Sequence, residues 1–545
     1  MAPPPPITTV ATAGRQDYRQ YRRLEQEQAE VEPRDDDAMY EAVGERDPML
    51  SPSGGKGGGG SAVHSLRLQP PAPKCNDLVF AVLFAVNVAV IAVLAVVKGV
   101  PAVQKSLHDH LPPSPTGTDT TAERPSLSPA LVTATLLAAG AGALALVWLR
   151  VLLAYAASMI RIALWTNVAF TVVFALATFA ASPLAAVLFL VMAAINVWYI
   201  FAVSNRIGFA SANLKAACSA VGSYKALFGV AITLLVLQVG WLVLWTLSAI
   251  GINQMFMDAD PSCKQSLDDF ERGQGRMCGG SAAGVALFFQ LISVYWGQQV
   301  LQNVLTCSAA GVVATWWYQP QAKGATLGSL YRSLTTSFGS ICFGSLIVAV
   351  LQALRSMADM LKQRAREEDN GVLACLACLA ECVLSLLAGI MEYINRWAYV
   401  YVGIYGYDFR TSGKAVMDLF RNRGWTAVIN DDLTSTALGF GALGVGVVTC
   451  CVGLLVAHFA PDEWFAALGS EGAYATLGVI GFIAGLSMAM ILTQVVVASL
   501  HTVFVCFAED PIAFNRNHPR EYEDLVAGWR QFHGDALVAA YGTAV

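Results

Sequence analysis

Residues Tyr295 to Tyr318 read YWGQQVLQNVLTCSAAGVVATWWY. The run is long enough to cross a bilayer as a helix and holds no charged residue, yet it is not greasy. Gln298, Gln299, Gln302 and Asn303 crowd one end, and Ala309, Ala310 and Gly311 follow. An unsatisfied amide in hydrocarbon is costly, so a helix with only lipid for company avoids four of them. Such a cluster either glues helices together or lines a pathway through a bundle, and the small residues let a neighbouring backbone come close.

The rest of the chain is built to match. Hydrophobic residues make up 55% and charged ones 13%, with a mean hydropathy of +0.53. That composition predicts an all-α fold, a polytopic transmembrane helical bundle. The apolar runs are continuous rather than alternating, which excludes a β-barrel. A formal charge of −5 carries no basic surplus for nucleic acid.

The predicted spans are Leu78–Val97, Ala130–Leu149, Ala163–Ala181, Leu184–Val203, Ala226–Ile250, Ala283–Trp317, Phe338–Leu354, Val372–Tyr407, Ala437–His458 and Ala475–Phe507. The number is about ten if the longest runs are single tilted helices, and about twelve if two of them break into pairs. Residues 1–74, from MAPPPP to LQPPAP, bury too little apolar surface to fold and read as a disordered cytosolic tail. No apolar run precedes Leu78, so the first helix is expected to act as an uncleaved signal anchor. The membrane domain then covers 75–510, and 511–545 reads as a cytosolic C-terminal tail. Arg150 and Arg161, then Arg206, Lys215 and Lys225, then Arg410, Lys414, Arg421 and Arg423 fall on one side if both termini are cytosolic. The cluster Arg355, Lys362, Arg364 and Arg366 breaks the pattern, unless Glu367, Glu368 and Asp369 mask it, the count is twelve or a segment is re-entrant.

Cys263 and Cys278 share the one sizeable polar loop between spans, on the non-cytosolic side of that topology, and are expected to form a disulfide. Cys375, Cys378 and Cys382 share a helix face without a fourth ligand nearby, so no metal site is expected. Trp316, Trp317 and Tyr318 end their run where an interfacial belt belongs.

Four stretches carry a family resemblance: NVLTCSAAGVVATWWY (Asn303–Tyr318), FGSICFGSLIVAVLQALR (Phe338–Arg355), NRWAYVYVGIYGYDFRTSGKAVMDLFRNR (Asn395–Arg423) and HTVFVCFAEDP (His501–Pro511). In them the chain resembles the choline transporter-like family, in particular the fungal and plant branch named after the yeast pH-nine-sensitive protein. The resemblance implies a multipass carrier of choline, and in some members ethanolamine, in plasma or organelle membranes. Plasma membrane is the expectation here.

Choline's quaternary ammonium donates no hydrogen bond, so a site for it needs aromatic faces, a polar partner for the hydroxyl and a balancing carboxylate. Trp241 and Trp245 are i, i+4 neighbours; Tyr295 and Trp296 stand beside Gln299 and Asn303; Tyr401 and Tyr405 share a face. These eight are the candidate substrate-binding residues, against a competing reading of the aromatics as core or belt. Among intramembrane carboxylates, Glu381 has no cation at helical spacing and is the candidate for charge balance or proton coupling. Glu392 is expected to pair with Arg396, and His501 either relays protons or satisfies its own helix.

No HExxH, GxSxG or Walker A motif occurs, so neither an enzyme nor an ATP-driven pump is indicated, and no cofactor is expected. The reading is a transporter working by alternating access without ATP, with the bilayer and a small cation as its partners. The alternatives are a channel, a non-transporting scaffold or sensor, or a carrier of another solute.

Overall fold

A computed structural model describes residues 75–109, 128–179, 182–204, 207–259, 280–367, 370–423, 425, 433–459 and 469–541. The tail 1–74, Cys263 and Cys278 lie outside the described residues. Those described form helices and turns, with no strand among them.

Helix α1 (Leu78–Leu94) runs through a π turn (Ala95–Gly99) into α2 (Val100–Asp109). Then come α3 (Ser128–Ala154), α4 (Ala156–Thr178), α5 (Pro183–Val203), α6 (Ile207–Ser223) and α7 (Ala226–Ala259). The second half holds α8 (Gly280–Tyr318), α9 (Ala325–Leu334), α10 (Phe338–Glu367), α11 (Gly371–Tyr405), α12 (Phe409–Asn422), α13 (Leu433–Phe459) and α14 (Gly469–Glu509). Two helices close the chain, α15 (Pro511–Asn517) and α16 (Pro519–Tyr541). Among the described residues nine helices are long and apolar enough to cross a membrane, and α4 adds a shorter apolar stretch, Ile160–Leu176. The long runs do not break: α8, α11 and α14 are continuous over 39, 35 and 41 residues.

Helix α8 is the hub, packing against α7, α9, α10, α11 and α14. Its small residues serve close approach. Where α8 meets α11, a Cβ added to Gly403 would lie 2.5 Å from the carbonyl oxygen of Cys307, and the Cys307 thiol donates to the carbonyl of Tyr399 at 3.3 Å. Likewise Gly297 lies against the indole of Trp241.

Three segments differ from the sequence reading. The connection holding Lys215 and Lys225 folds largely as α6, ten of whose residues are buried. Residues 511–541, read as a tail, dock on the bundle: α16 is kinked at His533, and Leu525 and Trp529 before the kink and Leu537 after it are buried. Lys215 meets Asp524 at 2.5 Å there, and Trp529 Nε1 donates to Asn213 Oδ1 at 3.2 Å. That docking also buries Trp316 and Trp317, at 3% and 0% exposure, where an interfacial belt was expected. Trp317 stacks on Phe514 with ring centres 4.0 Å apart, and Trp316 stacks on His518 at 4.0 Å.

The start of α1 is tied to the turn after α11. Asp77, with φ 54°, accepts from Ser340 Oγ at 2.7 Å and from the Phe409 backbone N–H at 3.3 Å. Asn76 Nδ2 donates to the carbonyl of Gly406 at 2.8 Å. Gly406 itself, at φ 72°, caps α11 in the left-handed conformation that glycine adopts without strain.

If the α8–α11 contact holds the hub, Gly403→Leu should destabilise the protein by about 1–3 kcal/mol through overpacking. Gly389→Leu on the same helix, where an added Cβ meets nothing within 4 Å, should leave the unfolding temperature in detergent unchanged.

Candidate functional site

Two cavities meet at the amide cluster of α8. The larger, about 610 Å³, lies between α7, α8, α13 and α14 and is bordered by Gln238, Gln298, Ser435, Ser487 and Thr493. The smaller, about 370 Å³, lies between α8, α10, α11, α13 and α14. Gln299, Asn303, Thr306, Glu392, Asn395, Arg396, Tyr399 and His501 border it. Gln302, Ser435, Gln494 and Val497 border both.

Helical geometry explains how one cluster serves two spaces. Successive residues turn by about 100°, so Gln298 and Gln299 diverge while Gln302 lies one turn on, between them. Gln302 thus stands at the septum. Gln494 of α14 crosses to it, its Nε2 donating to the Gln302 carbonyl at 3.0 Å and to Thr306 Oγ1 at 3.3 Å. Asn303 Nδ2 donates to Ser345 Oγ at 3.0 Å, and Gln298 Nε2 to the Gln238 carbonyl at 3.3 Å. The amides both join helices and wall cavities.

Two buried amides that border these cavities retain unmet capacity. Among the described residues, Asn395 Oδ1 and Gln238 Nε2 have no hydrogen-bond partner, although Asn395 Nδ2 donates to the Gly344 carbonyl at 3.1 Å. A polar atom left so in a protein interior is stabilised by a solute or water that completes it.

The sequence candidates divide. Gln299 and Asn303 border the smaller cavity. Trp241 and Trp245 instead lean on α8, donating to the carbonyls of Val294 at 3.4 Å and Gln290 at 2.8 Å. Trp296, 3% exposed, donates to the Cys342 carbonyl at 2.9 Å. Tyr295 pairs with Ser356 at 2.8 Å. Tyr401 donates to the carboxylate of Glu509, and its ring lies 4.9 Å from that of Tyr405. These six aromatics border neither cavity.

The candidate carboxylate does not stand alone. Glu381 is ion-paired with Lys362 of α10, which also meets Asp359 at 3.0 Å. A cation from a neighbouring helix is invisible to helical spacing, which is why sequence left Glu381 alone. Glu392 instead stands exposed beside the smaller cavity, accepting from Gln352 Nε2 at 3.1 Å, with Arg396 on the same wall. Beyond the spans, burial pushes the phenol of Tyr407 above the ordinary tyrosine range and lowers the Arg332 guanidinium.

Sequence reasoning passed over Gln494, Asn395 and Tyr399 as site residues. Gln494 did carry a signal: it is a lone amide in the apolar stretch from Ala489 to Leu500. Tyr399 carried none, since one ring among several in α11 looks like core.

A many-span bundle with an amide-lined interior beside a carboxylate and a guanidinium is the build of a membrane transporter. The sequence profile of the family described as plasma-membrane choline transporter matches residues 187–512, and the chain belongs to the choline transporter-like family. Protein PNS1 of Gibberella zeae is 28% identical over 327 residues, covering 59% of this chain and 58% of that protein. Protein PNS1 of Eremothecium gossypii is 31% identical over 267 residues, 47% of this chain and 48% of its own. A CTL-like protein of Dictyostelium discoideum is 26% identical over 343 residues, 62% of this chain and 55% of its own. The matched segments span about half to two thirds of the first such relatives, from 48% to 66% of their lengths.

A core role for Trp296 and a cavity role for Gln299 separate in stability. Trp296→Ala should cost about 3–5 kcal/mol, whereas Gln299→Ala should change the unfolding temperature in detergent by far less.

Proposed function

We propose that the chain carries a small organic cation, choline or ethanolamine, across the plasma membrane by alternating access and without ATP. The observation that carries this reading is the smaller cavity, which brings Glu392, Tyr399, Asn395, Gln299 and Asn303 to one space inside the bundle. Its chemistry suits such a solute. The Glu392 carboxylate offsets the positive charge, Tyr399 offers a ring edge or face to the ammonium, and the Asn395 oxygen without a partner accepts from a hydroxyl or primary ammonium. The Gln302–Gln494 bridge lies between the two cavities, where a moving solute passes from one wall of amides to another.

In this reading Glu392 takes the charge-balancing role that the sequence assigned to Glu381, because Glu381 is already neutralised by Lys362. An inside-negative potential supplies about 2.3 kcal/mol per charge per 100 mV, enough to drive uptake without a coupled ion. Both termini are assigned to the cytosol, with residues 75–510 as the transport domain.

The test is uptake of radiolabelled choline into proteoliposomes with and without an inside-negative potential. Saturable uptake that rises with potential is expected. Glu392→Gln should lower it about tenfold or more, equivalent to roughly 1.4 kcal/mol, while Glu381→Gln should change stability more than transport. Gly439→Phe should abolish uptake, because Gly439 borders the larger cavity and an added Cβ there meets nothing within 4 Å. Absence of uptake by folded protein under any gradient would remove choline from the reading.

A further inference from the structure

The larger cavity has a feature that a path for a water-soluble cation does not need. Its wall includes Val239 and Leu242 of α7 and Met490 of α14, which are 56%, 46% and 48% exposed. Val239 and Leu242 fall near the middle of α7 (Ala226–Ala259), and Met490 near the middle of α14 (Gly469–Glu509). Both helices are long and apolar enough to cross the bilayer, and these residues fall within the crossing stretches Ala226–Asp258 and Gly472–Glu509. A cavity that holds amides therefore reaches the outer surface of the bundle at membrane depth, with apolar residues at its rim.

A water-soluble solute has no use for such an opening, because only acyl chains lie outside it. A molecule with a polar head and an apolar tail fits both parts at once, the head among amides and the tail still in lipid. Charge narrows the class further. None of the residues bordering this cavity is charged, so the charges of a head group are met in the adjoining cavity. The adjoining cavity holds a carboxylate and a guanidinium, Glu392 and Arg396, one turn apart on α11. Together they complement an ammonium and a phosphate in one head group. Gln238, whose Nε2 has no partner, adds a donor for a phosphate oxygen on the way.

We propose that the opening between α7 and α14 admits a zwitterionic single-chain phospholipid, and that its head crosses the membrane through the joined cavities while its tail remains in the bilayer. The inference shares the cavities with the cation-carrier reading but stands on the lipid-facing rim, so the two fail separately.

The experiment measures transfer of fluorescent lysophosphatidylcholine between the leaflets of proteoliposomes holding the full chain, read by extraction with albumin. Transfer about tenfold faster than in protein-free vesicles is expected. Val239→Trp combined with Leu242→Trp, at exposed positions that tolerate bulk, should return it to the protein-free rate without lowering the unfolding temperature in detergent. Val239→Ile should behave as the parent, and Gly439→Phe should stop transfer. Lysophosphatidic acid, whose head is anionic, should not be accelerated. Equal acceleration of the anionic lipid, or of two-chain phosphatidylcholine, would overturn the assignment of ligand. So would transfer at the protein-free rate, or acceleration that the paired tryptophans leave intact. Loss of choline uptake in the parent with lysolipid transfer retained would sink the cation reading and support this one.

Discussion

A side-chain amide at membrane depth has no bulk water to turn to, and α8 carries four within about two turns. Their partners determine the surroundings. Asn303 draws in Ser345 of α10 and Gln298 reaches the backbone of α7, while the amide of Gln494 on α14 closes on the main-chain carbonyl of Gln302. Each of these hydrogen bonds fixes a neighbour of α8 at a definite height and rotation, because in hydrocarbon the alternative to the bond is an orphaned polar group. Once those neighbours are set by polar contacts, they cannot also close up as an apolar core would. The space left between them is walled by the same side chains. Cavity and adhesion are thus two consequences of one cluster.

Close approach elsewhere permits that openness. Cys307 of α8 and Gly403 of α11 bring their backbones together without intervening side chains, so α8 and α11 are tight at that level and part where Glu392 to Tyr399 wall the smaller cavity. At the end where α15 and α16 dock, aromatic rings take over: Trp425, Phe507 and Trp529 pack together, with ring centres 4.4 to 5.8 Å apart. The aromatic end and the amide-walled middle thus differ in how they are held, by ring packing at one and by polar contacts around the Gln302 septum at the other.

The fold class was legible because hydropathy over about 20 residues is a local property, readable one run at a time. So was the informative helix, since four amides in an uncharged span are conspicuous in any context. What failed to show was every relation that joins distant parts of the chain. Lys362 meets Glu381 across a helical hairpin, so spacing along one helix could not reveal the pair. Trp316 and Trp317 look like belt residues until α15 is seen to cover them. Trp241 and Trp245 share a face as expected, but the face they share is the one that leans on α8. Periodicity gives which residues point together; it does not give what they point at.

The same distinction bears on how aromatic content should be weighed in a membrane chain. Aromatics are abundant at membrane depth because they pack well and anchor interfaces, so their presence discriminates weakly between core and site. Amides and unbalanced charges are expensive there, and each must be accounted for by a partner or by a space that admits one. In this protein the six aromatic candidates resolve into contacts with backbone carbonyls, hydroxyls, carboxylates and other rings, whereas Gln299 and Asn303 remain at a cavity wall. Cost, more than chemical resemblance to the ligand, separates a residue that shapes a path from one that holds the walls apart. By that measure Gln494 matters most, since its amide bonds the main-chain carbonyl of Gln302 and Thr306 Oγ1 of α8 and borders both cavities.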